Sequence, residues 1–175
     1  MKKIYIGFAV CFLMLSCGSS FQGFYNNHKA DMGTTSFQVP NFMKAVLSQI
    51  SPEVKNAIGN VTDLKFIKFD ALSKFKRESL IAEMNDVTNS GYTDVFRKNT
   101  LDNTRIISVK EFGAVVTDAI IFNSSKNETT AYYLQGHFDP EKIKSFSDEG
   151  VFNQFSSSLM QSYQSNTNPS FNPKQ

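Results

Sequence analysis

The spacing of apolar and polar positions changes several times along the chain. Ile4 to Leu15 is an almost unbroken apolar run of twelve residues. Thr34 to Val39 has strand character and stops at Pro40. Asn41 can cap a helix in which Phe42, Met43, Val46, Leu47 and Ile50 recur at helical spacing, and Ser51-Pro52-Glu53 restarts it before Gly59 stops it. Val61 to Phe69 is apolar on both faces of a strand, which predicts a central place in a sheet. Asp70 then caps a longer helix with Leu72, Phe75, Leu80, Met84 and Val87 inward and Lys74, Lys76, Arg77 and Glu78 outward, ended by Asn89-Ser90-Gly91.

Four strand-like runs follow: Tyr92 to Arg97, Arg105 to Phe112, Ala114 to Phe122 and Glu128 to Gln135. Asp102-Asn103, Gly113 and the Asn123-to-Asn127 turn join them at the spacing of an antiparallel meander. Asp139-Pro140-Glu141 starts a last helical region, broken at Gly150, with Ile143, Phe146, Phe152, Phe155, Leu159 and Tyr163 as its apolar positions. The order predicts an α+β domain over residues 24–163: a mostly antiparallel sheet, the four-strand meander plus one or two earlier strands, with helices packed on one face. Residues 17–23 read as a tether, within which Phe21, with Phe24 and Tyr25, starts a first amphipathic turn, and residues 164–175, rich in Asn, Ser and Pro, as a loose tail.

Composition agrees with one globular domain: 175 residues, 41% hydrophobic and 19% charged. Seventeen phenylalanines against no tryptophan predict a core built on phenylalanine.

The amino terminus changes the picture most. Met1-Lys2-Lys3, the apolar run and the small residues Ser16-Cys17-Gly18-Ser19-Ser20 have the three-part layout of an export signal. As a helix the run would rise about 18 Å, short of the roughly 30 Å hydrocarbon core, so residues 1–16 read as a removed signal and not as a span. Met14-Leu15-Ser16-Cys17 resembles a bacterial lipobox, in which the cysteine thiol receives a diacylglycerol and becomes the new first residue. Cys17 is therefore the predicted lipidation site and membrane anchor. An ordinary secretory signal that happens to contain a cysteine is the alternative. The segment Gly18 to Gly23 carries no acidic side chain, and Gly18 stands where an aspartate would resemble an inner-membrane retention signal, so the expected location is the outer membrane with the domain facing the periplasm. Without Lys2 and Lys3 the 18 basic residues become 16 and balance the 16 acidic ones, which removes any global electrostatic reason to bind nucleic acid. With Cys11 cleaved away and Cys17 acylated, no disulfide is expected.

The lipobox, the helix–strand–helix–meander order and the segment Tyr132-Tyr133-Leu134-Gln135-Gly136-His137-Phe138-Asp139-Pro140 resemble the domain of unknown function 4252 family of small lipoproteins from the Bacteroidetes, over roughly residues 20–160. The family carries no assigned activity, so the resemblance implies no catalytic residue. The loop from Lys98 to Thr104 is longer than the family leads one to expect, which leaves the register of the meander open.

Phosphate loops, nucleophile elbows, zinc-protease helices and paired cysteines are all missing from the sequence. The expectation is a noncatalytic protein without cofactor or metal that binds another envelope protein or lipid; a small envelope hydrolase or transferase with an unmotifed site and an envelope-stress regulatory partner are the alternatives. Lys65, Lys68, Lys74, Lys76 and Arg77 place five positive charges within thirteen residues, a candidate surface contact toward anionic lipid or an acidic partner. His137, where the last strand meets the Asp139 cap, is a further candidate contact. His28, in the polar run Asn26-Asn27-His28-Lys29, reads as solvated.

Overall fold

A computed structural model describes residues 19–39 and 60–167, the side chains of 60 and 162–167 excepted. The predicted signal, Cys17, the helices expected between Asn41 and Gly59 and the last eight residues of the predicted tail lie outside the described residues. Among those described, the order is α1 (Phe21–His28), β1 (Thr34–Val39), β2 (Asn60–Asp70), α2 (Lys74–Asn89), β3 (Thr93–Asn99), β4 (Asn103–Phe112), β5 (Val115–Ser125), β6 (Glu128–Phe138), α3 (Pro140–Lys144), a 3₁₀ turn (Ser145–Ser147) and α4 (Glu149–Thr167). The strands form one six-stranded sheet in the order β1-β2-β6-β5-β4-β3, every neighbouring pair antiparallel. The meander is therefore β3 to β6, and β2 occupies the interior place its two apolar faces predict. No long loop separates β3 from β4. Thr100 closes a tight turn by donating its amide to the Asn103 carbonyl at 2.8 Å, and Lys98 pairs with Arg105 in register.

Helices cover both faces of the sheet, not one. Leu64, Phe66, Ile107, Val109, Ile121, Tyr132 and Leu134 pack with Ile143, Phe146, Phe152, Phe155 and Leu159 of the carboxyl-terminal helices. The alternate positions Ile67, Phe69, Ile106, Ile120, Phe122 and Ala131 pack with Phe21, Phe24 and Tyr25 of α1 and Leu80, Met84 and Val87 of α2. The reason lies in the strand period: successive side chains point to opposite faces, so a strand apolar at both odd and even positions needs two covers.

Local boundaries move for similarly plain reasons. Asp70 does not cap α2. It stays in β2, paired with Glu128; Ala71 then turns the chain at φ 53°, and Ser73 caps the helix by accepting from the Lys76 amide at 3.2 Å. Five residues before Leu80, Phe75 lies about 140° around the helix from the buried stripe, and it is 82% exposed. Ser20 accepts from the Gly23 amide at 3.1 Å and starts α1 at Phe21, inside the stretch read as tether, so the domain begins earlier than residue 24. The last helical region breaks at the 3₁₀ turn instead of Gly150, and α4 continues through Thr167, four residues into the predicted tail.

Candidate functional site

The five basic residues of the 65–77 segment do not share a face. Lys65 and Lys68 are three positions apart on β2 and so point to opposite sides of the sheet. Lys65 is buried on the α1 side, donating to Asp63 with its ammonium 4.9 Å from the Tyr133 ring centroid. Across the sheet, Lys68 contacts Glu128 at 3.0 Å and Asp70 at 3.1 Å, and its bond to Glu128 holds its pKa above the ordinary lysine value. Lys74 is exposed, 3.8 Å from Glu78; Lys76 donates to Asp31 at 2.9 Å; Arg77 donates to the Asp102 carbonyl at 3.3 Å. His137 is exposed on β6 opposite Asn60, at the far end of β2 from Lys68.

His28 is not solvated. Its side chain is 13% exposed, with Nδ1 2.9 Å from Asp31 and Nε2 2.7 Å from Glu83 of α2. Its ring lies 5.0 Å from Phe24 and 5.8 Å from Phe69. The bonds from His28 and then from Lys76 hold the Asp31 carboxyl below its ordinary pKa. The cluster ties α1 to α2. Asp31 three residues on was a visible hint; Glu83, 55 residues away, was not.

Besides a cleft of about 270 Å³ between α2 and the β3–β4 turn, which Arg77 and Glu78 line, two polar cavities surround buried charged groups. The first, about 210 Å³, lies where the chain enters the domain and is lined by Ser20, Phe21 and Gln22 together with Lys65, Tyr92, Lys110, Asp118 and Tyr133. Phe21 stacks on Tyr133 with centroids 5.4 Å apart. The Tyr133 hydroxyl donates to Asp118, which also accepts from Thr117 at 2.8 Å. Burial raises the pKa of Tyr133, and the Asp118 bond and charge raise it further; burial with Asp118 nearby pushes Tyr92 up to about 12. Both phenols stay protonated at neutral pH, and Lys65 and Lys110 face the single lining carboxylate Asp118, with Lys65 also bonded to Asp63.

The second cavity, about 260 Å³, opens on the other face between the β3–β4 hairpin and the start of α4. Arg105 forms its floor. The guanidinium is 7% exposed, donates from Nε to Asn123 at 3.2 Å and from Nη1 to the Ser147 carbonyl at 3.4 Å, and lies 4.9 Å from the Phe152 ring centroid. Its nearest carboxylate, Glu149, stays 3.8 Å away and 75% exposed. Lys98 lines the same cavity, so two cations face one loosely held anion. The donor set fits an acidic group: a planar guanidinium matches a carboxylate or phosphate, and a desolvated cation gains from a close anion. Sequence reasoning missed Arg105, although its position two before Ile107 and four before Val109 puts it on their face. Among the described residues no cluster of three His, Cys, Asp or Glu side chains could hold a metal, and no helix is long and apolar enough to cross a membrane.

The geometry defines the class first: an α+β domain with one antiparallel sheet between helices and a basic cleft at one end. The chain belongs to the family described as a domain of unknown function (DUF4252), whose model matches residues 25–146. No curated protein and no solved structure matches it. The match includes Arg105 and Lys98 and leaves out Ser20 to Phe24 and all of α4, Glu149 included.

Proposed function

We propose that the chain is a lipid-anchored protein of the bacterial envelope, held by acylated Cys17 in the outer membrane with its domain in the periplasm, and that its role is noncatalytic binding. The observation that carries this reading is the short distance from the lipobox-like Cys17 to folded structure: Ser20 already caps a helix, and Phe21 is buried against the sheet. A noncatalytic role is supported by the state of the usual general bases. Both ring nitrogens of His28 are committed to carboxylates, and His137 stands on an open strand position. The Arg105 cleft is the binding site of this reading and an acidic group its ligand. The experiment is labelled-palmitate incorporation with fractionation. Label in the native chain that disappears in Cys17→Ser, with protease on intact cells leaving the domain whole, is the expected result. Label persisting in Cys17→Ser overturns the anchor, and digestion on intact cells overturns the periplasmic orientation.

A further inference from the structure

The β4–β5 hairpin carries apolar side chains that none of the described residues covers. Phe112 and Val115 are register partners on either side of a two-residue turn with Gly113 at φ 67°. Paired residues share a face. Phe112 is 84% exposed although most other phenylalanines of the described chain are core residues, and Val115 is exposed beside it. Two residues inward along β4 comes Lys110, its ammonium 4.3 Å from the Tyr92 ring centroid and outside ion-pair distance of any described carboxylate. From the tip inward the order is therefore apolar pair, then tyrosine and lysine. Side chains ordered this way suit the boundary between acyl chains and headgroups, where amphipathic rings and cationic stems settle.

The hairpin also lies at the end of the domain where the chain enters. Ser20 and Gln22 line the same cavity as Lys110 and Asp118, the register pair next to the hairpin's bulge. Three peptide units separate Cys17 from Ser20 and span at most about 11 Å. An anchor at Cys17 therefore brings this end, and not the opposite one, down to the lipid.

We propose that the tip of the β4–β5 hairpin is a bilayer contact, with Phe112 and Val115 entering the headgroup region of the leaflet that holds the acyl chains of Cys17. The proposal rests on the lipid-anchor reading. It fixes the orientation of the domain: the amino-terminal end of α1 and the hairpin tip face the membrane, and the exposed Met32 and Leu101, before β1 and between β3 and β4, face away.

The absence of tryptophan supplies the test. Phe112→Trp and Leu101→Trp each give the full chain a single indole at an exposed position, one at each end. Both are reconstituted as the native lipoprotein into phosphatidylethanolamine/phosphatidylglycerol vesicles with or without brominated acyl chains, and flotation selects the vesicle-bound fraction. Phe112→Trp emission that shifts to the blue and is quenched severalfold more by bromolipid than Leu101→Trp is the expected result. Equal emission and equal quenching of the two variants on vesicles overturns the contact. Mass analysis of the amino-terminal peptide reads the anchor separately. If Cys17 proves unacylated, the anchor reading fails; coupling the Cys17 thiol to a maleimide phospholipid then supplies the tether, and the same comparison of indoles decides the hairpin.

Discussion

Replacing His28 by alanine separates a structural clamp from a solvated side chain. The native ring loses two carboxylate contacts, at 2.9 Å to Asp31 and 2.7 Å to Glu83, and its packing between Phe24 and Phe69. Buried charge-assisted hydrogen bonds are worth about 1.5–3 kcal/mol each. Both carboxylates keep about a third of their surface in water, so solvent recovers much of that loss and about 0.5–1 kcal/mol per contact remains. Burial of the ring adds about 1 kcal/mol. The expected total is about 2–3 kcal/mol, or roughly 5–10 °C in Tm for a chain of this size. The assay is urea unfolding of the native chain, His28→Ala, Glu83→Ala and the double variant. The ring and the Glu83 carboxylate are direct partners at 2.7 Å, so the cycle should return a coupling of about 1 kcal/mol between His28 and Glu83. A His28→Ala loss under about 0.5 kcal/mol, or the same loss with and without Glu83, would refute the clamp.

Other consequences follow from the same geometry. Met84→Ala opens the α2 core and should cost about 2–4 kcal/mol in urea unfolding, whereas Phe75→Ala on the exposed side of the same helix should stay within about 0.5 kcal/mol. Ala71→Gly relieves a residue at φ 53° and should leave stability unchanged or raise it by about 0.5 kcal/mol, measured the same way. Because Asp31 has a depressed folded pKa, its contribution is complete above the ordinary carboxylate range and is lost as pH falls through the lower folded value. Amide exchange in α1 should therefore speed up below about pH 4, and Asp31→Asn should remove that step. Citrate at ten times its Kd should stabilise the native chain by about 1.4 kcal/mol, roughly 3–5 °C, with Arg105→Gln abolishing the response at equal ionic strength.

How much of this could be read beforehand varies with the range of the physics. The four-strand meander was legible because Gly113 and the Asn and Asp residues at the turns act locally on backbone conformation. The central position of β2 was legible from apolar residues at both parities. The same observation argued for helices on both faces, since Ile67 and Phe69 need a cover as much as Leu64 and Phe66 do, and a single helical layer leaves one pair in water. The cap of α2 was misplaced because Asp70 and Ser73 are both good capping residues, and the choice between them was made by the ladder to Glu128, a partner 58 positions away. Lys65 looked like surface for a related reason: lysine on a strand reads as solvated until a carboxylate two residues back and an aromatic ring on the neighbouring strand enclose it.

β4 links the two proposed working ends of the molecule. Phe112 ends the strand at the membrane tip, and Arg105 lies seven residues back toward its beginning. At about 3.3 Å per residue the two are separated by roughly 23 Å along the strand. A headgroup region only several ångströms deep, entered by Phe112, therefore cannot reach the Arg105 cleft. The cleft's acidic ligand must come from the aqueous side, as a small anion or as a side chain or terminus of another envelope protein. The stabilisation by citrate should accordingly be the same for the lipoprotein in vesicles and for Cys17→Ser in solution, because the anchor sets where the cleft is held and not what it binds. A citrate response that vanished on membrane attachment would place the cleft against the bilayer and reverse the orientation argued from Ser20, Lys110 and Phe112.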